Sequence, residues 1–136
     1  MNRGFETGLA EICHHLQVGL LAYSPLAFGW LTGKYLADPQ AKGRITLFPG
    51  FGQRYAKPNV PAASKEYGRI AQDAGLSPAM MALSFARTRW FNSSVILGAT
   101  NLKQLKENLD SAEVVLSAQV LEQIEAVHKI YPNPAP

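Results

Sequence analysis

The stretch Ser94-Val95-Ile96-Leu97-Gly98-Ala99-Thr100-Asn101-Leu102-Lys103-Gln104-Leu105-Lys106-Glu107-Asn108-Leu109 decides how this chain is read. Val95, Ile96 and Leu97 form a short apolar run of the kind that makes a buried strand. Gly98 and Ala99 are a small-residue turn that leaves room for a ligand near the backbone. Thr100 or Asn101 supplies a polar cap. An amphipathic helix follows, with Leu102, Leu105, Leu109 and Ala112 on its inward side. A helix that starts where a strand ends aims its free N–H groups and the positive end of its dipole at one spot, which suits a phosphate. Turns of this kind also serve as plain connections, so the remainder of the chain has to arbitrate.

Upstream, Phe5, Leu9, Ile12, Cys13 and Leu16 recur at helical spacing and predict a helix over 5–17 with one buried stripe. Val18 to Tyr23 reads as a strand buried on both faces, ended by Ser24-Pro25. Residues 28–36 read as loop with about one helical turn. Residues 38–61 are rich in Gly, Pro and basic side chains and long for a plain connection, which favours a functional loop. A helix over 61–74 faces Tyr67, Ile70, Ala71 and Ala74 inward and stops at Gly75. Ser77-Pro78 pairs a cap with a first-turn proline and opens a second helix to about Trp90. After the decisive stretch, Ser117 caps a last helix with Val120, Leu121, Ile124, Val127 and Tyr131 toward the core. The order of helix, strand, two helices, strand and two helices argues for an α/β architecture with parallel strands. Two parallel strands make neither a closed barrel nor a covered open sheet, so the pattern is that of part of a larger fold.

A chain of 136 residues with 47% hydrophobic content builds one domain at most. Its formal charge of +3 comes from scattered basic residues, which suits a local anion site or a solvated surface rather than a nucleic-acid footprint. The single cysteine, Cys13, rules out an internal disulfide framework and fits a reducing compartment. No apolar run approaches a membrane span, and Glu6 and Glu11 stand where a signal peptide needs an apolar core. The expectation is a cytoplasmic protein with neither nucleic acid nor membrane among its partners.

Two segments together resemble a known family. Ala22-Tyr23-Ser24-Pro25-Leu26-Ala27-Phe28-Gly29-Trp30-Leu31-Thr32-Gly33-Lys34-Tyr35 resembles the seventh strand and loop of aldo-keto reductases. Gly98 to Asn108 resembles their eighth strand and helix. The Tas-like bacterial branch is most similar, potassium-channel beta subunits more distantly. The resemblance covers essentially the whole chain. It implies the C-terminal portion of a (β/α)8 TIM barrel, two parallel strands with about five helices, over residues 1–136, the N-terminal half being absent. It also implies NADP(H) as cofactor and a small carbonyl compound as substrate. In such barrels a phosphate site often lies in the loops after strands seven and eight, the place the decisive stretch points to on its own.

The resemblance assigns roles residue by residue. Tyr23 stacks on the nicotinamide ring, and Ser24, Pro25, Leu26 and Ala27 wrap the ribose and pyrophosphate. Lys34 approaches the phosphates. Arg44 and Gln104, with the Thr100 hydroxyl, surround the adenosine 2′-phosphate. Glu107 and Asn108 grip the adenine, and Gly98 lets the backbone come close. These residue types suit the tasks: a flat π-face for stacking, a guanidinium and hydroxyl for a phosphate, an amide and carboxylate for an adenine edge. Gly98 and Gln104 stand where some members carry basic residues, so the preference is NADP with NAD less favoured. The family's catalytic tyrosine and its Lys, Asp and His partners belong to the first half of the barrel, so no catalytic residue is assigned here and the chain alone is expected to be inactive.

Other candidates carry less. His14-His15 lacks a third ligand and adjacent helical residues point apart, so no metal site is expected. His128 reads as packing and Cys13 as a small buried hydrophobe. Trp30, Phe48, Phe51 and Tyr55 either line a substrate pocket or cover the barrel rim. Two rival readings stand beside the enzyme: a non-catalytic nucleotide-binding or regulatory fragment related to channel beta subunits, and an inert truncated product. A partial barrel also exposes strand edges, so self-association is expected.

Overall fold

The computed structural model describes all of residues 1–136. It is α/β, with two strands, β1 (Leu20–Ala22) and β2 (Asn92–Val95), paired in parallel. Leu20 faces Asn92, Leu21 faces Ser94 and Ala22 faces Val95, with an irregularity between Leu20 and Leu21. The ladder continues past the strands where Ile96 N donates to Ala22 O at 2.8 Å. Gly19 leads into β1 because nothing larger fits: a Cβ there would stand 1.6 Å from Ser93 Oγ.

Seven α-helices surround the strands. Five have seven residues or more: α1 (Leu9–His15), α4 (Asn59–Asp73), α5 (Pro78–Arg87), α6 (Leu102–Asp110) and α7 (Ala118–Ile130). The other two, α2 (Lys34–Ala37) and α3 (Arg44–Leu47), are single turns within the long crossover. The predicted caps form. Ser77 Oγ accepts from Met80 N at 3.1 Å with Pro78 in the first turn, and Ser117 Oγ accepts from Val120 N at 3.3 Å.

The main core lies between helices rather than under the sheet. Tyr67 and Ile70 of α4, Met81 of α5, and Val120, Ile124 and Val127 of α7 are buried together. Burying side chains of this size stabilises by ~1.5–3 kcal/mol each. Arg3 ties the N-terminal segment to this block: its Nη1 donates to both oxygens of Glu125 at 2.8 Å and its Nε to Glu6 at 2.8 Å.

Several expectations are corrected. The helix over 5–17 is interrupted: Gly4–Glu6 is a 3-10 turn, Gly8 takes φ 115°, and α1 starts only at Leu9. Its stripe is not buried, for Leu9, Ile12 and Leu16 are exposed, Ala10 alone is buried and Cys13 is half-buried. β1 is shorter than 18–23 and exposes Leu21. β2 sits at Asn92–Val95, earlier than 95–97, because the pairing register with β1 uses the polar residues ahead of the apolar run. α5 ends at Arg87, short of Trp90, and Ala74 lies exposed beyond the end of α4. Residues 38–61 hold α3, a 3-10 turn at Gln53–Ala56 and the start of α4, since Pro61 fits a first helical turn. The α6 side carrying Leu102, Leu105 and Leu109 is exposed, and so is Ala112. Period fixes which residues share a face, whereas burial needs something to cover that face.

Candidate cofactor site

Parallel pairing sends the chain out of β1 and β2 at the same end of the sheet. Tyr23 to Ala27 therefore leaves beside the turn Gly98 to Thr100. The backbone after β1 is sharply bent. Ser24, Ala27 and Phe28 hold φ of 52°, 50° and 55°, a region that non-glycine residues visit rarely and that tends to mark ligand sites. Ala27 is buried and anchors the bend, while Ser24, Pro25 and Leu26 are half-buried. Tyr23 is 64% exposed, so its ring is free, and its hydroxyl accepts from Arg54 Nη1 at 3.3 Å.

The crossover loop folds over itself through aromatic and cationic contacts. Phe28 and Phe51 stack at 5.1 Å with their planes 8° apart. The Arg44 guanidinium lies 5.4 Å from the Phe28 ring centre and 5.7 Å from that of Phe51. Lys34 Nζ donates to Lys42 O at 3.1 Å and sits 4.8 Å from the Tyr35 ring centre. Tyr35 and Tyr55, expected in loops, are buried in short helical turns. Tyr35 donates to Phe28 O at 3.3 Å, and burial pushes the Tyr55 phenol up. Tyr67 is pushed up to about 12 by burial within the core. Trp30 is half-buried, and Phe48 and Phe51 are exposed.

At the second turn, Asn101 proves to be the cap: its Oδ1 accepts from Gln104 N at 2.9 Å. Thr100 N and Oγ1 both donate to Gln104 Oε1 at 2.9 Å, so Thr100 and Gln104 form one unit. Gly98 faces open space. The first amides of α6 after the cap have no acceptor within the helix. Two of the assigned residues turn toward the fold instead. Glu107 accepts from Ser77 Oγ at 2.5 Å, and Asn108 is 4% exposed, its Nδ2 donating to Gly98 O at 3.1 Å.

The structure thus groups Tyr23 to Ala27 with Gly98, Thr100 and Gln104 at one end of the sheet. Lys34 and Arg44 belong to the crossover loop, and no hydrogen bond or ion pair joins them to the Gly98–Asn108 segment. Arg54, the partner of Tyr23, escaped the sequence reading: nothing in its spacing separates it from other loop cations. His14 stands edge-on to Trp90 at 5.4 Å. No helix is long and apolar enough to cross a membrane.

Parallel strands flanked by helices, with the turns Tyr23–Ala27 and Gly98–Thr100 at the C-terminal ends of neighbouring strands, are the architecture of an α/β barrel. The chain belongs to the Aldo/keto reductase family, whose family model matches residues 1–129. "Protein tas" of Escherichia coli (strain K12) is 50% identical over 137 residues, covering 100% of this chain and 39% of that protein. An "Aldo-keto reductase" of Babesia bovis is 39% identical over 109 residues, covering 76% of this chain and 38% of its own. A "Probable voltage-gated potassium channel subunit beta" of Oryza sativa subsp. japonica is 33% identical, over 85% of this chain and 37% of its own. The chain spans about two fifths of the length of these curated relatives, and its two-stranded α/β architecture is that of a partial barrel of this family.

Proposed function

We infer that the chain is the NADP(H)-binding portion of an oxidoreductase that reduces carbonyl substrates, contributing strands seven and eight of the barrel. The observation that carries this is the convergence of the bent Tyr23–Ala27 segment and the open Gly98–Thr100 turn at one end of a parallel sheet. The bound nicotinamide supplies hydride to a carbonyl carbon. Tyr23 offers it an exposed aromatic face, steadied by Arg54. Ser24 to Ala27 form the wall beside the ribose and pyrophosphate. Lys34 keeps two ammonium protons free of Lys42 O for phosphate. Arg44, held on Phe28 and Phe51 with no carboxylate partner, offers its donors to the 2′-phosphate together with Thr100 and Gln104. Glu107 offers the adenine end the carboxylate oxygen that Ser77 does not use, and Asn108, buried on Gly98 O, holds the turn in place behind it. NADP is favoured over NAD on this account.

The acid that protonates the carbonyl oxygen is assigned to the remaining part of the barrel. Tyr67 and Tyr55 have phenols raised by burial, and Tyr35 donates to a backbone oxygen, so none is poised to act as one. The 136-residue chain should show no NADPH oxidation above background with nitrobenzaldehyde. Joined behind the remaining N-terminal part of the Escherichia coli relative, it should support that reduction. Robust turnover by the chain alone, lost in Tyr35→Phe or Tyr55→Phe, would contradict this division of labour. The similarity to a potassium channel beta subunit favours a second reading, a nucleotide-binding regulatory module. NADPH binding without turnover in the joined protein would support that one.

A further inference from the structure

Residues 132–136 follow α7 without helix or strand. Irregular segments run over the surface as a rule. Here Pro134 and Ala135 are buried instead, Ala135 completely at 0% exposed. The segment is tied down at Asn133, which takes a left-handed φ of 47° and whose Oδ1 accepts from Arg3 N at 2.6 Å. Arg3 in turn holds Glu125 of α7. Ala135 is thereby delivered to a second, smaller buried cluster, which it shares with Ala27, Tyr55 and Val60. The main core of α4, α5 and α7 contains none of these residues.

Two members of the small cluster bear on the cofactor site. Ala27 closes the Tyr23–Ala27 bend at φ 50°, with Phe28 beside it at 55°. Tyr55 follows Arg54, whose guanidinium bonds the Tyr23 hydroxyl. The backbone bonds at the bend are local turns: Ala27 N donates to Ser24 O and Gly29 N to Leu26 O, both at 2.9 Å. Backbone strain of this kind persists only where surrounding packing fixes it. Among the buried residues of the cluster, Ala135 alone comes from outside residues 27–60. It is the one that joins the bend to the far end of the chain.

We propose that Ala135 is a positioning residue of the cofactor site: the segment after α7 backs Ala27 and Tyr55, and so holds the bend and the Arg54–Tyr23 contact in their binding geometry. The proposal rests on the cofactor reading above, and its test separates the two. The first arm is ligand-free, amide-resolved NMR of the 136-residue chain and of Ala135→Glu, whose charge expels the segment from its apolar seat. Resonances of Ala27, Phe28 and Tyr55 should move, while those of Ile70 and Ile124 in the main core stay. The second arm is NADPH titration. A bend populated about one time in ten without its backing weakens binding about tenfold. Ala135→Ser, which keeps the buried volume, should bind within about twofold of the unaltered chain. Shifts confined to residues 131–136, an unchanged NADPH affinity in Ala135→Glu, or an Ala135→Ser as weak as Ala135→Glu would overturn the proposal. If the unaltered chain takes up no NADPH, the cofactor reading fails and the ligand-free shifts alone decide on Ala135. If Ala135→Glu does not fold, Ala135→Gly, which deletes only the methyl group, decides: shifts at Ala27 and Phe28 support the proposal and their absence overturns it.

Discussion

Arg3 binds two carboxylates at once, and the consequences reach the pH dependence of the whole chain. Its hydrogen bonds hold the Glu125 carboxyl below the ordinary range. His128 is held below its ordinary value by burial first and then by the nearby Arg3 charge. Both folded-state shifts are downward, so the unfolded chain binds more protons in acid. The stability they confer is complete above the unfolded values, ~6.5 for His and ~4.3 for Glu, and is lost as pH falls through the folded ones. Thermal melts followed by circular dichroism should therefore drop in two stages, one in mild acid from His128 and one in stronger acid, below the ordinary carboxylate range, from Glu125. Glu125→Gln should lower stability at neutral pH by ~1 kcal/mol and remove the lower stage. An unchanged acid profile in that variant would rule out the Arg3 tie. The tie to Glu125 was not legible in the sequence, because a pair separated by 122 positions leaves no local spacing. The placement of Tyr23 and Gly98 beyond the ends of β1 and β2 was legible, because both sit in local motifs.

Among the elements, the strand pair depends on contact too close for a side chain. A Cβ on Gly19 would meet Ser93 Oγ at 1.6 Å and Ser93 Cβ at 2.8 Å. Rotating Ser93 relieves the first contact but not the second. Gly19→Ala should cost ~1–3 kcal/mol by overpacking, read as a lowered denaturant midpoint, whereas Gly68→Ala, which faces open space in a helix, should be neutral or mildly stabilising. At the start of α6, Asn101→Ala removes the side-chain cap on Gln104 N and should cost ~1 kcal/mol. It should also loosen the Thr100–Gln104 unit beside it. Helix caps were legible because Ser77-Pro78, Asn101 and Ser117 act within a few residues of themselves. The buried faces of α1 and α6 were misread: Leu102, 83% exposed, follows the helical period as well as any core residue.

For the whole molecule, the apolar surface left open is its dominant property. Leu9, Ile12 and Leu16 of α1, Leu21 of β1 and Leu102 and Leu109 of α6 face outward, and a two-stranded sheet leaves two unpaired edges. Apolar surface and free edges of this kind promote association. Light scattering after gel filtration should find oligomers at micromolar concentration, and a hydrophobic dye should bind; a monodisperse monomer with a sharp unfolding transition and little dye uptake would oppose this. The α/β class and the parallel pair were legible from the alternation of elements. The crossover loop was not, since its turns are held by Phe28, Phe51, Tyr35 and Arg44 meeting across long sequence distances. The most direct test of the cofactor assignment is amide-resolved NMR of the chain titrated with NADPH and, separately, NADH. Expected are saturable shifts centred on Ser24–Ala27 and Gly98–Gln104, with NADPH bound about tenfold more tightly than NADH because charge-assisted hydrogen bonds meet its 2′-phosphate. No shifts in those two segments, or equal affinities for the two nucleotides with shifts elsewhere, would contradict it.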